Sequence, residues 1–384
     1  MFMLLSYTQL ISIKIFHTCC QRHVLPYLTL FWFFASYIFS NHFLFAQEIG
    51  SPFSRNYHAT EFKAHTQNWS VIQDHRGILY FANKEGVLEY DGENWNIIKV
   101  SRDVRSLDVD LDGRVYVGAI GDLGYLEPDK LGKLQFISLL PKLDTFAQSF
   151  EDVWKVYATS DGVFFQSFKW LARYKDGKFK LWYPKKMNGF HFSFWVKNKL
   201  YIREQGIGLL ELQGDKLVLA QGGDVFADER IYSILPYDSQ RLLVGTRNIG
   251  LFMWNPSNGA LQKFSTPAEQ FILDNQLYHG IKLRNGNFVF ATVTGGAVVI
   301  NAAGQIEQII NKQAFLQNES VFYLYNDKQN NLWMALDNGI SNVEIESPWE
   351  QWNESHGLKG IAYSIIRHNK QLYVGTSQGA FQLK

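Results

Sequence analysis

Residues 233–254 read SILPYDSQRLLVGTRNIGLFMW. Short apolar runs, rich in branched and aromatic side chains, are cut by Asp238-Ser239-Gln240 and by Asn248-Ile249-Gly250. Runs of this length bounded by turn-forming clusters are strands joined by hairpins. Each turn carries a side-chain acceptor near its head, and the second closes on a Gly able to take positive φ.

The pattern recurs along most of the chain. It stands at 71–92 (VIQDHRGILYFANKEGVLEYDG) and 106–129 (SLDVDLDGRVYVGAIGDLGYLEPD), then more weakly at 156–177 and 194–212. It returns at 280–300, 323–343 and 364–383. The residues opening the second run of each copy are Leu79, Val115, Val163, Leu200, Leu242, Phe288, Leu332 and Leu372, spaced 36 to 48 apart. That interval is the length of a four-stranded propeller blade, about 40–50 residues. Helical repeats of similar length are excluded because the runs alternate with a period of two. The expected fold is therefore all-β: a β-propeller of seven four-stranded blades plus the start of an eighth repeat, over residues 68–384. Residues 47–67 form a lead-in, and 364–384 either close the first propeller or begin a second.

Composition agrees. Thirty Gly accompany 11 Trp, 19 Tyr and 30 Phe, and hydrophobic residues make up 46% of the 384, which excludes disorder. A net charge of +1 excludes a generally basic nucleic-acid surface. Residues 1–46 differ from the rest: they hold both cysteines, Cys19 and Cys20, and no Asp or Glu. Within them 24–45 is uncharged and apolar, follows Arg22, and precedes Ala46-Gln47. These are the parts of an export signal cleaved after Ala46. The alternative is an uncleaved anchor, which would make 24–46 the chain's contact with a membrane. Residues 1–21 have no role of their own, as an early-assigned start codon would give. The exported part then has no cysteine, which removes disulfides, thiol catalysis and thiolate-held metals.

The repeats resemble the two-component regulator propeller family, periplasmic sensor propellers found upstream of the triple-tyrosine domain. The residues that carry the likeness are Leu242–Leu251, Leu332–Ile340 and Leu372–Gly379, with the opening Gln67-Asn68-Trp69, Gly86 to Gly92 and Trp95. Copies three and four depart from it by lacking the Gly-Thr pair. The resemblance implies a periplasmic ligand-sensing domain that relays to downstream signalling domains of the same regulator. No triple-tyrosine, kinase or helix-turn-helix segment lies within these residues.

Motifs for chemistry are weak. Gly375-Thr-Ser-Gln-Gly379 matches a nucleophile elbow, but it aligns with Ala82–Gly86 and Ala335–Gly339 and so reads as a hairpin of the repeat. Asp108-Val-Asp-Leu-Asp-Gly113 resembles the front of a calcium loop, yet the twelfth position is Ala119 where a bidentate Glu is needed. A solvated strand end is the plainer reading. No phosphate loop, dinucleotide fingerprint or metal-spaced histidine pair occurs. Neither a catalytic centre nor a cofactor or metal is expected.

A binding surface remains. In a propeller the innermost strands ring a central channel, so residues far apart in sequence converge there. With the first run of each copy innermost, the expected channel set is Trp69, Arg105, Trp154, His191, Arg230, Tyr232, Tyr278 and His279, with Phe322 and Tyr363. Hairpins after the second run add Arg203, Glu204, Arg247 and Asp337, besides Lys84 and Asp122. Aromatic faces beside Arg donors suit a carbohydrate or another small polar molecule. The plainer alternative is that the aromatics pack between blades. Two other functions stay open: an exported propeller scaffolding protein contacts, and a lyase-type propeller enzyme using a channel histidine such as His279.

Overall fold

A computed structural model describes residues 50–383. The expected signal or anchor at 1–46 lies outside the described residues. Gly50–His356 forms one compact unit, and the residues from Gly357 onward belong to another.

The first unit contains seven four-stranded antiparallel sheets. Six are continuous in sequence: 68–99, 104–138, 155–182, 190–219, 231–263 and 277–310. In each, the chain runs from an inner strand outward through three hairpins. The inner strand of every blade neighbours the next, and the seventh returns to the first, closing a ring. All eight sequence anchors fall on second strands.

The seventh blade is built differently. Its inner three strands are Val321–Asn326, Leu332–Leu336 and Ile340–Val343, and its outer strand is Ser54–Tyr57. Ser54 pairs with Val343 and Tyr57 with Ile340. The lead-in thus supplies a propeller strand, where the sequence placed the propeller's start at residue 68. The described residues of 364–384 supply no strand to these seven sheets. Ala362–His368, Gln371–Thr376 and Gly379–Leu383 pair with one another as a three-stranded sheet of the other unit. The Gly375–Gly379 motif is the hairpin between its last two strands.

Second strands are apolar without alternation because neighbouring blades cover both faces. Leu79–Asn83, Leu242–Thr246, Phe288–Thr292 and Leu332–Leu336 are buried at every position. Outer strands such as Lys216–Leu219 are largely exposed. The core is correspondingly divided into wedges between blades. Ile72, Tyr80 and Val87 pack with Val104, Val115 and Val117 between blades one and two. Val289, Val299 and Leu283 pack with Leu324, Leu332 and Met334 between six and seven.

The Asp turns behave as their sequence suggests. Asp74 Oδ1 accepts from the backbone N–H of Arg76 and Ile78 at 2.9 and 3.0 Å, and Asp110 Oδ1 from those of Asp112 and Arg114. Asp327 repeats the arrangement with Gln329 and Asn331. In the calcium-like run, Asp110 is spent on this turn while Asp108 accepts from the N–H of Ala158 on the next blade.

Closure depends on one aromatic cluster. Tyr57 is 4% exposed, stacks on Trp333 at 5.6 Å and meets Trp95 and Tyr90 edge-on at 5.4 and 5.5 Å. Its hydroxyl lies 3.3 Å from that of Tyr90. These contacts tie blade seven to blade one through a strand only four residues long. Tyr57→Ala is therefore expected to cost about 3–5 kcal/mol, read as a lower urea midpoint; a loss below about 1 kcal/mol would show that Ser54–Tyr57 does not hold the ring shut.

Candidate functional site: an aromatic collar in the channel

Most inner strands carry a β-bulge near their start. The register shifts between Asn68 and Ser70, Val104 and Ser106, Phe190 and Ser193, Ile231 and Ser233, Leu277 and His279, and Val321 and Tyr323. A bulge places one extra residue outside the ladder and re-aims its side chain. The bulged residues include Trp69, Arg105, Phe192, Tyr232, Tyr278 and Phe322. In blade three Trp154 stands one residue ahead of its strand, its backbone N–H donated to the carbonyl of Gln166 at 2.8 Å.

These seven side chains, one from each blade, line a single cavity of about 200 Å³. Six are aromatic and form a circuit. Trp69 stacks on Phe322 at 4.4 Å with planes 6° apart and meets Trp154 at 5.8 Å. Trp154 contacts Phe192 at 5.8 Å and Phe192 contacts Tyr232 at 5.4 Å. Tyr232 then meets Tyr278 at 5.5 Å, which returns to Phe322 at 5.3 Å. Arg105 fills the remaining position. Its guanidinium lies 4.4 Å from the Trp69 ring centre and 5.6 Å from that of Trp154, and its Nε donates to Asp152 at 2.6 Å. Ring pairs and cation–π contacts of this kind are worth about 0.5–1.5 kcal/mol each.

The next residue on each inner strand forms a second layer: Ser70, Ser106, Lys155, Ser193, Ser233, His279 and Tyr323. Several face Gly or Ala across the hairpin, as Ser106 faces Gly118, Ser233 faces Gly245 and His279 faces Ala291. This explains the small residue in the recurring Val-Gly-Thr motif. A Cβ on Gly118 would stand 2.5 Å from Ser106 Oγ and 2.6 Å from Val153, closer than side chains pack.

Burial sets the charges in this layer. The Lys155 ammonium is pushed down to about 8 by burial and sits 4.9 Å from the Phe192 ring centre and 5.5 Å from that of Tyr323. His279 is held well below its ordinary value by burial and then by Lys155. Its Nδ1 accepts from the N–H of Leu324 at 3.2 Å, so the proton belongs on Nε2. Asp108 is raised to about 6 by burial, against its two backbone N–H donors.

Of the residues expected in the channel, Trp69, Arg105, Trp154, Tyr232, Tyr278 and His279 share this cavity, with Phe322. His191 lies beside it, stacked on Phe192 at 4.6 Å and edge-on to Tyr232 at 5.3 Å, and is held at about 3, chiefly by burial and then by Arg203. Arg247 reaches the flank, its guanidinium 4.9 Å from the Tyr232 ring and donating to Leu277 O. The others stand elsewhere. Arg203 is buried and donates to the carbonyls of Phe226 and Ala227, holding a turn. Glu204 accepts from the N–H of Lys186, and Asp337 accepts from Gln67. Arg230 and Lys84 are exposed. Asp122 accepts from Ser138, and Tyr363 belongs to the second unit. Phe192 and Lys155 were not expected. The signal for both was present: each directly follows an expected channel residue, Phe192 after His191 and Lys155 after Trp154.

A scan of protein-family models and a search of curated proteins both return no match. Solved structures do match. One is an extracellular domain assigned to the hybrid two-component system BT3049 of B. thetaiotaomicron, with TM-score 0.65 and 17% identity over 86% of this chain. Another is assigned to BT4673 of the same organism, with TM-score 0.58 and 16% identity over 87% of this chain. The chain spans about half the length of these domains, 48% and 45%. A streptogramin B lyase matches over 77% of this chain and 98% of its own, with TM-score 0.57 and 14% identity. The likeness is one of fold. It places the chain among β-propellers. Among the described residues no helix is long and apolar enough to cross a membrane, and no group of three His, Cys, Asp or Glu could hold a metal.

Two outcomes follow from the collar and the layer beneath it. Trp69→Ala removes the stack on Phe322 and the Arg105 contact, so stability falls by about 3 kcal/mol and acrylamide quenching of the remaining tryptophans increases; unchanged quenching would mean the collar does not close the mouth. An unfolded lysine keeps its proton to about pH 10.4, so between about pH 8 and that value the unfolded chain binds more protons than the folded one. Lys155 therefore makes stability rise with pH through this window. Lys155→Met should remove that rise and raise the melting temperature at pH 7, as thermal scans of the two proteins would read.

Proposed function

We propose that this chain is the exported ligand-sensing propeller of a signal-transduction regulator, and that its ligand, a carbohydrate or another small polar organic molecule, binds at the channel collar. The observation that carries the reading is the collar itself, with one side chain from each of seven blades converging on one cavity. A site built from every blade senses the whole ring, so a ligand that changes the spacing of the collar changes the packing between blades. The likeness to extracellular domains of two-component systems supports the sensor role and a place outside the cytoplasm. In this reading the partners are downstream signalling domains of the same regulator, and this segment neither binds nucleic acid nor catalyses a reaction. The propeller lyase is the weaker reading because the Nδ1 lone pair of His279 is taken by the Leu324 N–H, and the neutral ring has no free base on that side.

The test is genetic. Deleting the gene should abolish a transcriptional response to one carbon source, and an allele carrying Trp69→Ala with normal protein levels should reproduce the loss. Identical transcript profiles with and without the gene across carbon sources would overturn the sensor role.

A further inference from the structure

The cavity beneath the collar has a chemistry that the collar alone does not give. Lys155 Nζ forms no ion pair and no hydrogen bond with the described residues, and its contacts are two ring faces. The other cation that lines the cavity, Arg105 of the collar, has its charge paired with Asp152 at 2.6 Å. Lys155 is half-buried, and an ammonium drawn into a ring-walled cavity without a carboxylate beside it is costly; proteins keep one where something else supplies the negative charge. The hydroxyls around it point the same way. Ser70 and Ser233 are each 2% exposed, line this cavity, and have Oγ atoms with no partner. Trp154 Nε1 and Arg105 Nη1 are likewise buried donors with no acceptor. With Nδ1 accepting, His279 offers an Nε2–H. The lining therefore has an excess of donors and one uncompensated positive charge.

We infer that this cavity is a carboxylate site, in which the acid group of a small organic anion lies against Lys155 while its body rests on the collar rings. The ring walls favour an anion with a flat or carbon-rich face over an inorganic ion. The space of about 200 Å³ fits a monomeric acid and excludes a polymer chain. Two other groups could oppose binding by their charge. Asp108 lies on the neighbouring inner strand and is turned to the backbone N–H of Ala158 and Val109. Asp152 is neutralised by Arg105. Tyr157 and Tyr323 are held protonated by burial, and His279 is neutral, so Lys155 supplies the only unpaired positive charge among the residues that line the cavity. The inference rests on the sensor reading for its biological consequence and names the ligand class of the same site.

The experiment compares acids with their neutral amides on the intact protein. Benzoate is titrated against benzamide, and glucuronate against glucuronamide, by calorimetry at constant ionic strength, with sodium chloride as the inorganic control. At least one acid should bind about tenfold or more tightly than its amide. Lys155→Met, which removes a destabilising charge and so folds, should erase that difference. Binding of the acid should also weaken between pH 7 and pH 9.5 in the parent protein. Equal binding of acid and amide, acid binding that survives Lys155→Met, protection by chloride alone, or no binding of any acid would each overturn the carboxylate assignment. A neutral ligand that binds the collar and drives the transcriptional response would leave the sensor role intact while the carboxylate site fails.

Discussion

The ring stands on a backbone pairing between two segments far apart in the chain. Ser54–Tyr57 completes the sheet begun by Val321–Asn326, and Ser341 Oγ donates to Asn56 Oδ1 at 2.6 Å across 285 residues. Without that strand the seventh blade has three strands and an open edge. Blades one and seven would then lose the Tyr57, Tyr90, Trp95 and Trp333 cluster that packs them together. Every collar contact depends on this closure, because the circuit of rings passes from blade seven to blade one through Phe322 and Trp69.

Much of this was legible in the sequence because blades are local. Each repeat makes its own hairpins, so the runs and turns at 233–254 encode their structure within about 30 residues. The pairing that closes the ring is not local, and its segment, Ser-Arg-Asn-Tyr, has no apolar run to mark it. Only Tyr57 is buried there. A related limit governed the site. The first run of each copy is the inner strand, and most of the residues named from it line the cavity, but the bulge in blade four spans His191 and Phe192. Periodicity cannot say which of two adjacent residues an irregular ladder turns inward. Arg203 and Glu204 failed for another reason: they occupy the end of a buried strand, where charged groups serve the neighbouring backbone.

The channel also shows how one geometric device organises chemistry. The bulge aims a large ring at the axis, and the following residue is pressed onto the second strand, where Gly or Ala must stand. Where that following residue is Ser, a hydroxyl is buried, donated to the Val153 carbonyl at Ser106 and without a protein partner at Ser70, Ser193 and Ser233. Where it is Lys155, His279 or Tyr323, the same position puts titratable groups into a space walled by aromatic rings. Their shifted protonation follows from placement in the ring more than from any pair of charges.

The closing strand has a kinetic side as well. Ser54–Tyr57 is synthesised long before its partner Ile340–Val343 exists, so the ring cannot close until nearly the whole unit has been made. Loop-closure entropy makes such distant pairing slow relative to the hairpins within each blade. In the interval, the outer edge of Ile340–Val343 and the apolar face around Trp333 stand open. A chain of this design spends its most vulnerable moments as an almost complete ring, and that is the state a chaperone or protease would meet.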